Sequence, residues 1–200
     1  MPRGVVDLEG LKSPAAEALR RMAPPAGMSF NVRKLGHAVL KVKDLQRSVA
    51  FYTGVLGFRV SDVYPGTMMK GGMVFLRCNT DHHCLALVGG AKEDASAREL
   101  HHLAFEVATL EEVLRAREHL RKHNVKIDFD GRRRAGCQVA VEFRDPDNHF
   151  LEIFWGLDQV GSDHRVRPPE EWREEASLEE AIANAPPGQD TTINDRSLRK

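Results

Sequence analysis

The segment His37-Ala-Val-Leu-Lys-Val-Lys-Asp-Leu45 recurs 65 residues later as His102-Leu-Ala-Phe-Glu-Val-Ala-Thr-Leu110, and an internal repeat constrains architecture before any single residue is interpreted. Each copy alternates apolar side chains at the period of a strand, then meets Asp44 or Thr109 where a helix N-cap is wanted. Leu45, Val49, Tyr52, Val55 and Leu56 follow at helical spacing, as do Leu110, Val113, Leu114 and Leu120. Gly57 and Asn124 are the stops. Extended candidates come next at 59–64, 73–78 and 83–88, and again at 126–129, 138–144 and 150–155. The order βαβββ, twice, predicts an α+β fold: modules 34–90 and 99–156 form an open mixed-sheet barrel with helices outside and a cleft within.

The flanks differ from this pattern. Residues 1–33 hold an amphipathic helix candidate, about 8–22, and a linker at Pro24-Pro25-Ala26-Gly27 that stops it. Residues 157–200 form a C-terminal tail with a short helix at 177–184 between Pro168-Pro169 and Pro186-Pro187-Gly188. Two hundred residues suit one domain with such extensions. Lys plus Arg and Asp plus Glu balance at 29 each, so no net field favours nucleic acid or an anionic membrane, and the expected partner is a small molecule. Cys78, Cys84 and Cys137 are odd in number and lack a C-x-x-C pair, which speaks against a disulfide framework and a thiolate zinc site. With no signal-like or membrane-spanning apolar run, the expected location is the cytoplasm.

Strand alternation assigns faces. Ala38, Leu40 and Val42, then Leu103, Phe105 and Val107, then Leu151, Ile153 and Trp155, should pack on the helices. The same registers send His37, His102 and Glu152 to the cleft, two imidazoles and a carboxylate from three strands. That donor set suits one divalent metal with open positions for water, substrate or O₂, the facial arrangement of non-haem Fe(II) sites; Mn(II) or another divalent ion is the alternative. His101 should face away. His119 and His123 read as polar helix positions, and Asp145-Pro-Asp-Asn148 as a turn feeding the Glu152 strand.

The chain over Lys34 to Gly156 resembles the vicinal oxygen chelate superfamily of glyoxalase I, bleomycin and fosfomycin resistance proteins and type I extradiol dioxygenases. The resemblance is carried by Leu35-Gly-His-Ala-Val, Val42-Lys-Asp-Leu, Ser48-Val-Ala-Phe-Tyr-Thr-Gly-Val-Leu-Gly-Phe58, Leu100-His-His-Leu-Ala-Phe-Glu-Val107 and Phe143-Arg-Asp-Pro-Asp-Asn-His-Phe-Leu-Glu-Ile-Phe-Trp-Gly156. Aligning Gly89 with Gly156 puts Leu85 opposite Glu152, where glyoxalase I-like members carry a fourth ligand. His83, two residues earlier, falls where extradiol dioxygenases place a His beside the O₂ site. The resemblance therefore implies an Fe(II)-dependent extradiol dioxygenase acting on a catechol-like aromatic diol with O₂, with His83 as acid–base group, in a homo-oligomer such as a dimer. The other branches imply a Mn(II)- or Zn(II)-dependent lyase, isomerase or thiol transferase, or a small-molecule binding protein.

Two positions depart from the extradiol pattern. A Tyr three residues before the Asp-Pro turn and a His about nine residues earlier sit near the substrate in those enzymes; here they read Glu142 and Arg133. These two are the substrate-binding candidates. The run Arg132-Arg133-Arg134 reads either as a cation for an anionic substrate or, more simply, as a solvated loop.

Overall fold

The computed structural model describes residues 6–24, 26, 34–96, 100–162 and 164–198. Pro25 and Gly27 of the expected linker, and position 99 at the start of the second module, lie outside them. Ahead of the repeat, the single expected helix is two: α1 (Leu8–Leu11) and α2 (Pro14–Arg20). Ser13 caps the second by accepting from the Ala16 amide, and Pro14 takes its first position, where the missing N–H is no loss.

The first module runs β1 (Ala38–Lys41), α3 (Leu45–Gly54), β2 (Arg59–Tyr64), β3 (Met73–Arg77) and β4 (Leu85–Val88). The second runs β5 (Leu103–Glu106), α4 (Leu110–Lys122), β6 (Ile127–Arg132), β7 (Val139–Arg144) and β8 (Phe150–Trp155). Asp44 caps α3, and Thr109 with Glu112 closes a reciprocal capping box on α4. Gly57 and Asn124 end the helical segments with φ of 72° and 56°. The strands form two four-stranded sheets, ordered β1-β4-β3-β2 and β5-β8-β7-β6, each with its first and last strand parallel and the other pairs antiparallel. The sheets stay open.

Each helix packs on its own sheet. Leu40, Val42, Val74, Leu76, Leu85 and Leu87 enter one core with Leu110, Val113, Val139, Val141, Phe143 and Leu151. Burying side chains of this size contributes about 1.5–3 kcal/mol each, which is what fixes the register. The alternate residues face the other way, into the cleft.

That register corrects the assignment of Leu85. Across the parallel pairs, Val39 stands opposite Ala86 as Ala104 stands opposite Glu152, and Val39 and Ala104 are repeat equivalents. Ala86 is therefore the counterpart of Glu152, and Leu85 belongs to the core face. The alignment slipped by one because it matched Gly89 to Gly156, whereas Gly90, which shares a left-handed φ with Gly156 (88° and 76°), is the equivalent glycine.

The tail is built into the second module. Glu175 pairs with Arg132 at the edge of β6, its carbonyl accepting from the Arg132 amide at 2.9 Å. The approach is so close that a β-carbon on Gly131 would lie 2.1 Å from the Glu175 carbonyl oxygen. Helix α5 (Leu178–Ala183), capped by Ser177, puts Leu178 and Ala181 into the core, and Ile193 follows.

The arginine run is not a solvated loop. Arg132 ends β6 with 0% exposure and donates to the carbonyls of Cys137 and Ala181 and to Gln189. Arg134 pairs with Glu174 at 2.6 Å. Among the described residues no helix is long and apolar enough to cross a membrane. The three cysteines are free thiols, with Cys78 and Cys84 sulfurs 3.3 Å apart.

Candidate metal centre

Glu152 lies on β8 with 3% exposure, facing the cleft, and its Oε2 is 3.7 Å from His102 Nε2. Two donors that share one ion sit about 3 Å apart when each is roughly 2 Å from it at a right angle, so this pair stands wider than bound ligands by an amount that a small side-chain rotation closes. Burial raises the Glu152 pKa, reinforced by Glu142 directly across on β7 and opposed by the Gln138 amide, which donates to Oε1 at 3.4 Å, and by His102 and Arg133. A dry carboxylate beside another carboxylate gains from a nearby cation.

His102 precedes β5, and its Nδ1 meets His101 Nδ1 at 2.7 Å, one ring donating to the other. His101 thus does not face away: the pair stands just outside the regular strand, where alternation no longer holds. The contact holds the His102 ring with Nε2 toward Glu152, the role an outer partner plays for a metal-bound imidazole. Sequence alternation missed His101; the doublet itself was the available signal.

His37 is exposed and precedes β1, its ring centroid 4.7 Å from that of His83. His83 precedes β4 instead of belonging to it. The bend at 81–84 turns its ring onto Phe75 at 5.0 Å, away from the core face that strict alternation with Leu85 would give. Its Nδ1 contacts His82 Nδ1 at 3.1 Å, a doublet like that of His101 and His102. As the side chains stand, no three His, Cys, Asp or Glu groups among the described residues are gathered closely enough to hold an ion. His102 and Glu152 are together, while His37 is turned to His83.

Arg133 and Glu142 meet. The guanidinium grips Glu142 Oε1 through Nε at 2.6 Å and through Nη2, and stacks over the Phe129 ring at 3.7 Å. Glu142 is 4% exposed and neighbours Glu152 across the β7–β8 ladder, so the pair borders the candidate ligands.

The family model described as Glyoxalase/Bleomycin resistance protein/Dioxygenase superfamily matches residues 34–153. The chain belongs to that superfamily. It is 33% identical over 147 residues to 3-methylcatechol 2,3-dioxygenase of Pseudomonas putida, covering 70% of this chain and 49% of that one. It is 24% identical over 135 residues to the manganese-dependent 2,3-dihydroxybiphenyl 1,2-dioxygenase of Geobacillus genomosp. 3, covering 66% and 39%. The chain therefore spans about half or less of the length of these curated relatives. A glyoxylase/bleomycin resistance protein/dioxygenase domain from Frankia sp. shares the superfamily fold at TM-score 0.55 and 22% identity, covering 63% of this chain and 99% of that one.

Proposed function

We propose that this chain is an Fe(II)-dependent extradiol-type dioxygenase that cleaves the ring of a catechol-like diol. In this reading His37, His102 and Glu152 are the protein ligands and His83 is the acid–base group. The observation that carries it is the buried Glu152 carboxylate beside His102 Nε2, in a chain whose named relatives act on catechols and dihydroxybiphenyl. The donor types fit a facial site that leaves positions for two oxygens of a diol and for O₂.

Iron bound there supplies the O₂ chemistry that amino-acid side chains lack. The protein groups do the rest. Glu152 offers a dry anionic donor, and His101 fixes the tautomer of His102. His37, with no hydrogen bond or ion pair among the described residues, turns from His83 toward Glu152 to complete the set. His83, against Phe75 and beside His37, takes and returns the diol proton. Arg133 holds one oxygen of Glu142, leaving the other to accept from a substrate hydroxyl. Ala86 at the counterpart of Glu152 offers no fourth donor, which speaks against a glyoxalase I-like site. The same reading makes the protein a cytoplasmic homo-oligomer.

The test is anaerobic reconstitution with Fe(II) and with Mn(II), then O₂ uptake over a panel of catechols. Expected is one O₂ consumed per ring opened, with a coloured product. Metal binding without O₂ uptake across the panel would overturn the reading in favour of a lyase, isomerase or thiol transferase.

A further inference from the structure

His102 also forms part of the wall of a cavity of about 510 Å³ that runs from this one candidate ligand along β1 to the turn before β8. Its lining near His102 is apolar: Val39, Leu100 and Phe150, of which Val39 and Leu100 are 47% and 43% exposed. His37, Val39 and Lys41 share one face by strand alternation, so a ring held at the ligands lies against Val39 with Lys41 farther along. Four residues of strand span about 13 Å between the α-carbons of His37 and Lys41, a gap that a flexible lysine side chain narrows.

Most of the charged and polar groups lining this cavity are committed, Ser96 aside, and among the charged ones there is one exception. Asp94 is bound by Lys43 at 2.7 Å, His149 by Asp145 at 2.9 Å, and Asn148 donates to the Ala95 carbonyl at 2.9 Å. Lys41 alone among the charged lining residues has a side chain with no hydrogen bond or ion pair to any described residue. A cavity that is apolar around a metal-ligating imidazole and ends in one uncommitted ammonium selects for an aromatic ring carrying an anionic side chain.

We propose that the substrate class is a catechol bearing a carboxylate on a short side chain, and that Lys41 is the specificity-determining residue that pairs with that carboxylate. The inference rests on the ring-cleavage reading for the position of the diol.

The experiment compares 3-(2,3-dihydroxyphenyl)propionate with 3-propylcatechol, which has the same ring and chain length without the charge. The full chain is reconstituted with Fe(II); binding is measured anaerobically by calorimetry, and O₂ uptake gives kcat/KM for both compounds. A hydrogen bond to a charged group is worth roughly 10- to 100-fold in affinity, so the acid should bind that much more tightly than the neutral compound. In Lys41→Met the advantage should collapse to within about twofold, and Lys41→Arg should restore part of it. Equal affinity for the two compounds in the wild-type chain, or an advantage retained in Lys41→Met, overturns the assignment even if both compounds are cleaved. Absence of O₂ uptake with either compound overturns ring cleavage, and the calorimetric preference then decides Lys41 by itself.

Discussion

Tyr52 on α3 donates its phenolic proton to Asp145 Oδ2 at 2.9 Å, across 93 residues of chain. The bond joins the first module to the turn that opens β8. Around it, Asp147 accepts from Ser48, from Arg47 at 2.9 Å and from the Lys43 amide at 2.7 Å. The Asp-Pro turn is thus a clamp between modules as well as a feed into the Glu152 strand.

Tyr52 has 0% exposure, and burial followed by the Asp145 charge pushes its pKa up, so it remains a donor at any working pH. Tyr52→Phe removes the donor but leaves Asp145 its bonds from His149 and from the amides of Asp147 and His149. The expected loss is about 1–2 kcal/mol in urea unfolding. Because the turn leads to Glu152, metal affinity should fall alongside.

Burial works to raise the Asp147 pKa, but the bonds from Ser48, Lys43 and Arg47 outweigh it and hold the group below the usual 3.8. With the folded pKa below the unfolded one, this stabilisation is present above the unfolded value and is lost as pH falls through the folded one. Acid unfolding of the wild type should steepen below about pH 4. Asp147→Asn should be less stable at neutral pH and show a flatter curve over that acid range, read by circular dichroism.

Arg132 is fully buried and has no carboxylate ion-pair partner among the described residues, and burial lowers its pKa. It holds the tail through backbone carbonyls of Cys137 and Ala181 and the Gln189 amide. Arg132→Ala leaves those acceptors unsatisfied and opens a cavity, costing about 3 kcal/mol. Limited proteolysis should then cut within 175–190 before the barrel.

His83 and Glu152 should separate by readout. His83→Ala is expected to lower turnover by about 10² to 10⁴ with metal content unchanged. Glu152→Ala should lose the metal itself, measured by elemental analysis. Unchanged turnover in His83→Ala would remove its acid–base role.

By itself the sequence determined the module order, the helix starts at Asp44 and Thr109, and the core faces of β1, β5 and β8, because the 65-residue repeat and strict alternation are local signals that burial then enforces. The same alternation sent Glu152 to the cleft, since Leu151 and Ile153 beside it must be buried. It failed for His101 and Leu85, and it put His83 in the cleft for the wrong reason, since a bend and not the register of Leu85 turns that ring there. Those residues lie at bends or depend on which strand pairs with which, and a one-residue difference in connection length is invisible without the partner. Tertiary structure alone decided that Arg133 and Glu142 form one ion pair, that Arg132 is a buried anchor for the tail, and that Asp145 and Asp147 clamp the modules. Each of those roles needs a partner from 9 to 104 residues away, and no spacing in the chain encodes such a meeting; packing around the shared core does.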